Sequence, residues 1–235
     1  ARPDTGGLSG ATPSEAVKAA VEASVAQHGL DADADVRVTP NRGRNFGPML
    51  SEFGGAILAH DLLLHLHTKK SLHGHGKEQT AWRDDIVNGL IGADGITDAV
   101  VNLFADRRNI GVVFTRTFRE MTYWANHWLQ NTGQAVGLFA RLGVADYNLR
   151  GYIDYPVGGM FWARVEAIRP LFEAGITYDD FPPEAGQLDG TIAHAIERSF
   201  VDLARSRGFT FAEVDRGDNL FRLGWSDKRS EERRV

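Results

Sequence analysis

The densest group of residues that could carry out chemistry follows a short apolar segment in the first third of the chain. Residues 61–66 read Asp-Leu-Leu-Leu-His-Leu, and so short an apolar run after a predicted helix predicts a buried strand. The side chains at its carboxyl end are His65, His67, Thr68, Lys69, Lys70 and Ser71. Ligands of open α/β sheets bind outside the carboxyl ends of strands. The cluster therefore suits a phosphate or a metal-bound phosphate, the alternative being a solvated basic turn.

A second polar stretch, Asn41-Arg-Gly-Arg-Asn-Phe-Gly-Pro48, separates a strand predicted over residues 36–39 from a helix predicted to reach about residue 60. Its two glycines free the backbone, and its arginines and asparagines supply donors beside a helix N-terminus. A nucleotide could be held there. The alternative is an unusually polar turn, which the paired arginines make the weaker interpretation.

The carboxylates that could serve as a base lie late in the chain. Residues 179–189 are too rich in proline and glycine for a regular element, yet they include Glu184 and Asp189. Residues 191–205 are predicted to be helical, with His194, Glu197 and Arg198 within one turn. Sugar transfer from a nucleotide needs cations for the diphosphate and a carboxylate for the acceptor proton. Glu184 or Asp189 could be that base, although carboxylates in such loops are commonly only solvated.

Composition bounds the class of protein. The 235 residues fit one large domain, with 43% hydrophobic and 24% charged residues. The net charge of -5 argues against duplex nucleic acid as the main partner. The lack of cysteine excludes disulfides and thiolate metal sites and fits a reducing compartment. Because apolar runs stay short of the ~18 to 20 residues of a membrane span, we expect a soluble chain and leave peripheral attachment open.

The elements expected to position these residues alternate between helices and short strands. This pattern predicts an α/β fold with a mainly parallel sheet flanked by helices. We expect a flexible arm over residues 1–11, one domain over 12–225 and a solvated tail over 226–235. Further strands are predicted at residues 110–114, 155–164 and 209–214. One helix is predicted from Tyr123 to Leu142, with aromatic side chains at core spacing.

Taken together, four stretches resemble the rhamnan synthesis protein F family in motif, order and spacing, from about residue 36 to about residue 208. They are Asn41-Arg-Gly-Arg-Asn-Phe-Gly-Pro48, His65-Leu-His-Thr-Lys-Lys-Ser71, Gly158-Gly-Met-Phe-Trp-Ala-Arg164 and Gly186-Gln-Leu-Asp-Gly-Thr-Ile-Ala-His-Ala-Ile-Glu-Arg198. The resemblance implies a GT-A-like, Rossmann-like glycosyltransferase domain of bacterial cell-surface polysaccharide synthesis, often one module of a longer chain. It suggests a nucleotide-activated sugar such as dTDP-rhamnose as donor and a glycan or lipid-linked glycan as acceptor.

The resemblance also implies roles by position. The donor or its diphosphate would be bound by Asn41, Arg42, Gly43, Arg44, His65, His67, Lys69 and Lys70. The acceptor side would be shaped by Gly158, Gly159, Trp162, His194 and Arg198, with Glu184 or Asp189 as the base. The family usually has aspartate where this chain has Asn45, and His65 and His67 replace the Asp-X-Asp metal motif of many GT-A enzymes. Either His67 ligates Mn²⁺ or Mg²⁺, or Lys69 and Lys70 neutralise the diphosphate without a metal, which we favour.

Two other function classes compete with the transferase. His-X-His at a strand end also occurs in barrel-shaped metal hydrolases, but these need about 250 residues or more. A non-catalytic carbohydrate-binding or scaffolding module is favoured by Asn45 and by the lack of a strand signal in residues 1–11. The expected location is the cytoplasm, at the inner face of the plasma membrane if the chain attaches peripherally. The oligomeric state is left open.

Overall fold

The main body of the protein is a five-stranded sheet with helices on both faces. The computed structural model describes residues 6–29, 34–68, 77–92, 94–215 and 220–224. The strands are β1 (Leu8–Thr12), β2 (Ala34–Val38), β3 (Leu62–His65), β4 (Ile110–Thr115), β5 (Phe161–Arg164), β6 (Thr210–Val214) and β7 (Phe221–Leu223). The α-helices are α1 (Glu15–Gln27), α2 (Phe46–Ser51), α3 (Gly54–Ile57), α4 (Lys77–Val87), α5 (Ile96–Asp106), α6 (Thr132–Leu142), α7 (Val165–Glu173) and α8 (Ile192–Ser206).

The strand order of the main sheet is β3-β5-β4-β6-β7. Only the neighbours β4 and β6 are parallel, while the β3–β5, β5–β4 and β6–β7 pairs are antiparallel. The α/β class is confirmed, but the prediction of a mainly parallel sheet is wrong. The long segment after β4 returns the chain so that β5 enters between β3 and β4 in the reverse direction, and β7 turns back against β6.

The central strand β4 carries the core on both of its faces. All six of its residues are buried. Val112 and Phe114 belong to the core cluster that includes residues of α7 and α8, whereas Ile110 and Val113 pack with residues of α5. The usual alternation is offset by an irregularity between Ile110 and Val112. A Cβ at Gly111 would lie 2.7 Å from Cβ of Phe209, so only glycine fits this crossing.

The first strands form a separate unit. β1 and β2 are parallel neighbours in a two-stranded sheet joined through α1, as a parallel pair requires a crossover. The predicted flexible arm is therefore wrong over residues 8–11. Leu8-Ser-Gly-Ala-Thr12 lacks β-branched residues before Thr12, so pairing with β2, and not local propensity, makes it a strand.

Several predicted elements are shorter than expected. The helix predicted from Tyr123 consists of two 3₁₀ turns, Tyr123–Asn126 and Leu129–Asn131, before α6 begins. The side chain of Asn131 donates from Nδ2 to the carbonyl of Trp128 (2.7 Å), a local bond that competes with helix continuation. The helix predicted to residue 60 is divided into α2 and α3, and the strand predicted from residue 155 begins only at Phe161. The predicted tail over 226–235 lies outside the described residues.

None of the described helices is long and apolar enough to cross a bilayer.

Candidate active site

A cavity of about 450 Å³ lies beyond the carboxyl ends of β3 and β4 and beside the first turns of α8. It is therefore at the end of the sheet where the sequence predicted a ligand. Its polar wall includes Asn41, Arg44, Asn45, His67, Glu184, Gln187, His194, Glu197 and Arg198, and its apolar wall includes Phe46, Trp82, Ile86, Met121, Tyr155, Val157, Met160 and Leu188. A cavity of this size that is lined by both apolar and polar side chains is typical of small-molecule sites.

The turn of Gly158 and Gly159 joins the histidine segment to the loop before α2. Antiparallel pairing of β3 with β5 places the turn beside the end of β3. Nε2 of His67 donates to the carbonyl of Gly158 (2.6 Å), and Nδ2 of Asn45 donates to Nε2 of His65 (3.1 Å). Both glycines have positive φ, and a Cβ on Gly159 would lie 2.9 Å from Nδ2 of Asn45. The glycine pair therefore serves close packing of two loops, and of the two only Gly158 lines the cavity.

His65 and His67 have different surroundings. The His65 ring stacks on Phe46 with centroids 5.8 Å apart and lies 5.5 Å from Phe161. Burial, and to a smaller extent the neighbouring His67, lower the pKa of His65 to about 3, so this ring is neutral and supports Asn45. Of the two histidines, only His67 lines the cavity.

The loop before α2 is bent so that Arg44 faces the cavity. Gly43 and Arg44 both have positive φ (73° and 53°). The backbone N–H of Arg44 donates to Oε1 of Glu184 (3.0 Å), and its guanidinium donates to the carbonyl of Gln187. Arg42 instead points away and donates from Nε to the carbonyl of Phe181 (2.6 Å). The structure therefore brings Arg44 and Glu184 together across 140 residues and leaves Arg42 outside the cavity lining.

The two predicted bases lie on opposite sides of the loop that carries them. Glu184 lines the cavity, whereas Asp189 lines a neighbouring cavity of about 540 Å³ that shares Gln187 with the first. Asp189 accepts from the side chain of Asn131 (2.5 Å) and from the backbone N–H of Gln130 (3.1 Å). Its carboxylate thus ties the loop to the 3₁₀ turn before α6.

Glu197 is the functional candidate to which the sequence analysis gave no role. Its Oε1 accepts the backbone N–H of Gly158 (3.0 Å), and its Oε2 lies 3.7 Å from Nη1 of Arg198. Burial raises the pKa of Glu197 above its usual range, although Arg198, the Gly158 N–H and Arg44 oppose this effect. Helical periodicity placed Glu197 beside His194 and Arg198, but it could not show that this face of α8 would meet the glycine turn.

Arg198 and His194 hold the start of α8 in place. Arg198 donates from Nε to the carbonyl of His127 (2.9 Å) and lies 3.5 Å from Oδ1 of Asp189. Nδ1 of His194 lies 2.7 Å from Oγ1 of Thr191 in a capping box. Both residues line the cavity, but their contacts are mainly those of positioning groups.

Trp162 lies in another layer of the protein. It is buried, packs in the cluster around α5 and donates from Nε1 to the carbonyl of Leu90 (3.2 Å). Trp82 of α4 is partly buried against both core clusters and also lines the cavity. Gly158 lies in a turn before β5 begins at Phe161, so the alternation of side chains along the strand does not extend to it and its position does not determine the direction of Trp162. Lys69 and Lys70 lie outside the described residues.

The described residues around His67 offer few ligands for Mn²⁺ or Mg²⁺. A carbonyl only accepts hydrogen bonds, so Nε2 of His67 carries the proton and only its buried Nδ1 could ligate a metal. Hard cations prefer several oxygen ligands. Within the described ranges, groups of three or more His, Asp or Glu suited to a metal are absent. The described residues around His67 therefore do not fit the ion.

Comparison with known proteins identifies the chain's relatives. Residues 7–209 match the family model described as rhamnan synthesis protein F. The chain is 37% identical over 181 residues to the uncharacterized protein WxcX of Xanthomonas campestris pv. campestris strain B100, and equally to that of strain ATCC 33913. These matches cover 73% of this chain and 24% of each relative, so the chain spans about a quarter of their length. No solved structure matches. The chain belongs to the rhamnan synthesis protein F family.

Proposed function

We propose that this domain transfers a sugar from a nucleotide-diphosphate donor to a glycan acceptor during bacterial cell-surface polysaccharide synthesis. Membership of a family named for rhamnan synthesis supports the pathway. The observation that carries the reaction type is Glu197, a carboxylate with a raised pKa in a cavity that is also lined by Arg44, Arg198 and apolar side chains. A general base works best when its pKa lies near the operating pH.

In the proposed step the acceptor hydroxyl oxygen bonds to the anomeric carbon while the bond from that carbon to the diphosphate oxygen breaks. The hydroxyl proton passes to the carboxylate of Glu197, and the nucleoside diphosphate leaves with the bonding electrons. Arg44 at the cavity wall would stabilise the negative charge that develops on the diphosphate. Lys69 and Lys70 stay predicted diphosphate ligands.

Glu184 is the second candidate for the base. It lines the same cavity, and its Oε1 accepts the backbone N–H of Arg44. Asp189 suits a positioning role better, because both of its oxygens are engaged by the turn before α6 and it lines the neighbouring cavity. Of the predicted pair, we therefore keep Glu184 as a base and assign Asp189 to the support of the loop.

The donor is proposed to lie between the polar wall at Asn41 and Arg44 and the indole of Trp82, which suits stacking on a nucleobase or sugar. dTDP-rhamnose is the first donor to test, because the family is named for rhamnan. A glycan or lipid-linked glycan as acceptor, action in the cytoplasm and attachment to the inner face of the plasma membrane are parts of the same proposal.

The structure bears differently on the two alternatives, a barrel-shaped metal hydrolase and a non-catalytic module. A barrel hydrolase does not match a mixed five-stranded sheet. One of the two observations that favoured a non-catalytic module was the lack of a strand signal in residues 1–11. It no longer holds, because β1 precedes α1. The remaining support for the module is Asn45, whose amide bonds to His65 and brings no charge to the donor side.

The first experiment combines calorimetric titration with a transfer assay. We expect one of dTDP, UDP and GDP to bind saturably, and Glu197→Gln to bind it within about twofold of wild type. With dTDP-rhamnose and a rhamnose oligosaccharide, the variant should turn over about 10²- to 10⁴-fold more slowly, as loss of a general base predicts. Glu166→Gln, an exposed glutamate on α7, is the matched control.

The outcomes separate the parts of the proposal. Nucleotide binding with undiminished turnover of Glu197→Gln would remove Glu197 as base, and Glu184→Gln would then be tested in the same assay. If none of the three nucleotides binds, the donor site is wrong. Saccharide binding without nucleotide binding would favour the non-catalytic module.

A further inference from the structure

Four exposed apolar side chains lie on neighbouring segments beside the cavity. Trp124 is 62% exposed, Leu188 59%, Leu129 49% and Tyr123 47%. We call these four residues the aromatic rim. Tyr123 and Trp124 pack edge to face with ring centroids 5.5 Å apart. The sequence pattern predicted core positions for the aromatic pair, so its exposure requires a different explanation.

The segment that presents the rim is held by buried residues between the exposed ones. Asn126 is buried, accepts from Oγ1 of Thr117 (3.0 Å) and donates to the carbonyl of Ile153 (3.1 Å). Trp128 and Asn131 are also buried. The exposed rings are therefore carried by a fixed turn, and they lose little conformational freedom when a ligand covers them.

Leu129 is presented at a local cost to the backbone. Its φ of 49° lies in the left-handed region, which is unfavourable for a bulky residue and favours glycine or asparagine. A leucine that is half exposed gains little from burial to offset that cost. Strained residues of this kind cluster at active sites and ligand-binding sites, where the surrounding structure holds them in place.

The rim continues the apolar wall of the cavity. Met121 and Ala125, which flank the aromatic pair in sequence, line the cavity, and so does Leu188. The segments of Leu129 and Leu188 are joined where the backbone N–H of Gln130 donates to Oδ2 of Asp189 (3.1 Å). A cavity of about 450 Å³ cannot hold both a donor and a polymer, so an acceptor chain must leave it across its edge.

We propose that the aromatic rim binds the sugar rings of a glycan acceptor as the chain leaves the cavity. Sugar rings present apolar C–H faces that suit flat aromatic surfaces, and hydroxyl groups that suit polar neighbours. Glu120 and Gln130 are exposed beside the rim. Arg119 lies 3.8 Å from Glu120, so this pair is close to neutral, whereas an anionic lipid surface would favour unpaired cations. The inference rests on the proposed transfer to a glycan.

The test measures how affinity depends on acceptor length. Linear oligosaccharides of rhamnose, glucose, galactose and mannose, of one to six units, are titrated against wild type, Trp124→Ala, Trp124→Phe and Val17→Ala. We expect wild type to bind one hexasaccharide about tenfold more tightly than its monosaccharide, the scale of a stacking contact. Trp124→Ala should lose most of this gain and Trp124→Phe should keep part of it. Val17, an exposed residue of α1, is the control and should leave the gain unchanged.

Separate readings distinguish the rim from the donor site. The same variants are titrated with dTDP, UDP and GDP and sedimented with neutral and anionic phospholipid vesicles. Unchanged length dependence in Trp124→Ala, or no length-dependent binding in wild type, would overturn the proposal even where a nucleotide binds. Loss of vesicle binding with unchanged oligosaccharide affinity would overturn it in favour of a membrane. Length-dependent binding without nucleotide binding would support the rim and remove the donor site.

Discussion

At the scale of single residues, the environment of Glu197 contains opposed effects. The Gly158 N–H and the guanidinium of Arg198 favour its charged form, while burial disfavours it more strongly. A carboxylate in this condition holds its proton more tightly in the folded state than in the unfolded chain. The carboxylate of Glu197 is therefore suited to accept a proton, and its ionisation lowers the stability of the folded protein.

This leads to a prediction about pH and stability. Because the pKa of Glu197 is raised on folding, its contribution to stability is fully present below the unfolded pKa and is lost as pH rises through the folded pKa. Glutamine cannot ionise. We therefore expect the Tm of Glu197→Gln, relative to wild type, to increase between pH 4 and pH 7 in thermal unfolding. Parallel Tm curves, or a relative decrease, would contradict the raised pKa.

At the scale of elements, the loop before α2 depends on the approach of two backbone segments. A Cβ on Gly47 would lie 2.1 Å from the carbonyl oxygen of Arg42, and the N–H of Gly47 donates to the carbonyl of Gly43 (2.7 Å). Arg44 lies between these residues in the loop, so its position depends on this close approach, which only a glycine at position 47 allows.

Gly47→Ala should consequently destabilise the protein by about 1–3 kcal/mol, as overpacking does, and should weaken nucleotide binding by moving Arg44. Gly55→Ala is the matched control, because Gly55 is exposed in α3 and its Cβ would meet nothing within 4 Å. That substitution should be neutral or stabilise by up to about 1 kcal/mol. Urea unfolding of both variants provides the comparison, and equal effects would show that the close approach is not the cause.

Some of the loops and strands could be predicted from the sequence, and others could not. The polar loops at Arg44 and Glu184 were found because glycine, proline and charged residues mark such loops locally. The antiparallel insertion of β5 could not be found, because it depends on pairing between residues far apart in the chain. The same holds for β1, which has weak strand propensity, and for the surroundings of Glu197, which accepts a hydrogen bond from a turn 39 residues away. Contacts of this kind are decided by tertiary structure and leave no local pattern.

At the scale of the whole molecule, the unit of β1, α1 and β2 packs mostly within itself. One connection to the main body is Arg37, whose Nη1 donates to the carbonyl of Glu52 (3.0 Å) and whose guanidinium lies 4.9 Å from the Phe53 ring centroid. The same side chain is paired with Asp35 at 2.6 Å. Arg37 therefore links the unit to the segment between α2 and α3, next to the loop of the candidate site.

Arg37→Ala should loosen this unit without unfolding the main sheet, because the described residues of the unit pack mostly within it. Amide hydrogen exchange should become faster in β1, α1 and β2, while β4 and β6 keep their protection, as expected when one cooperative region opens alone. Lys18→Ala, which removes a partly exposed i,i+4 pair with Glu22 on α1, should leave exchange unchanged. Faster exchange across the whole chain would mean that the unit and the main sheet unfold together. If nucleotide affinity also falls in Arg37→Ala, the unit supports the loop that carries Arg44.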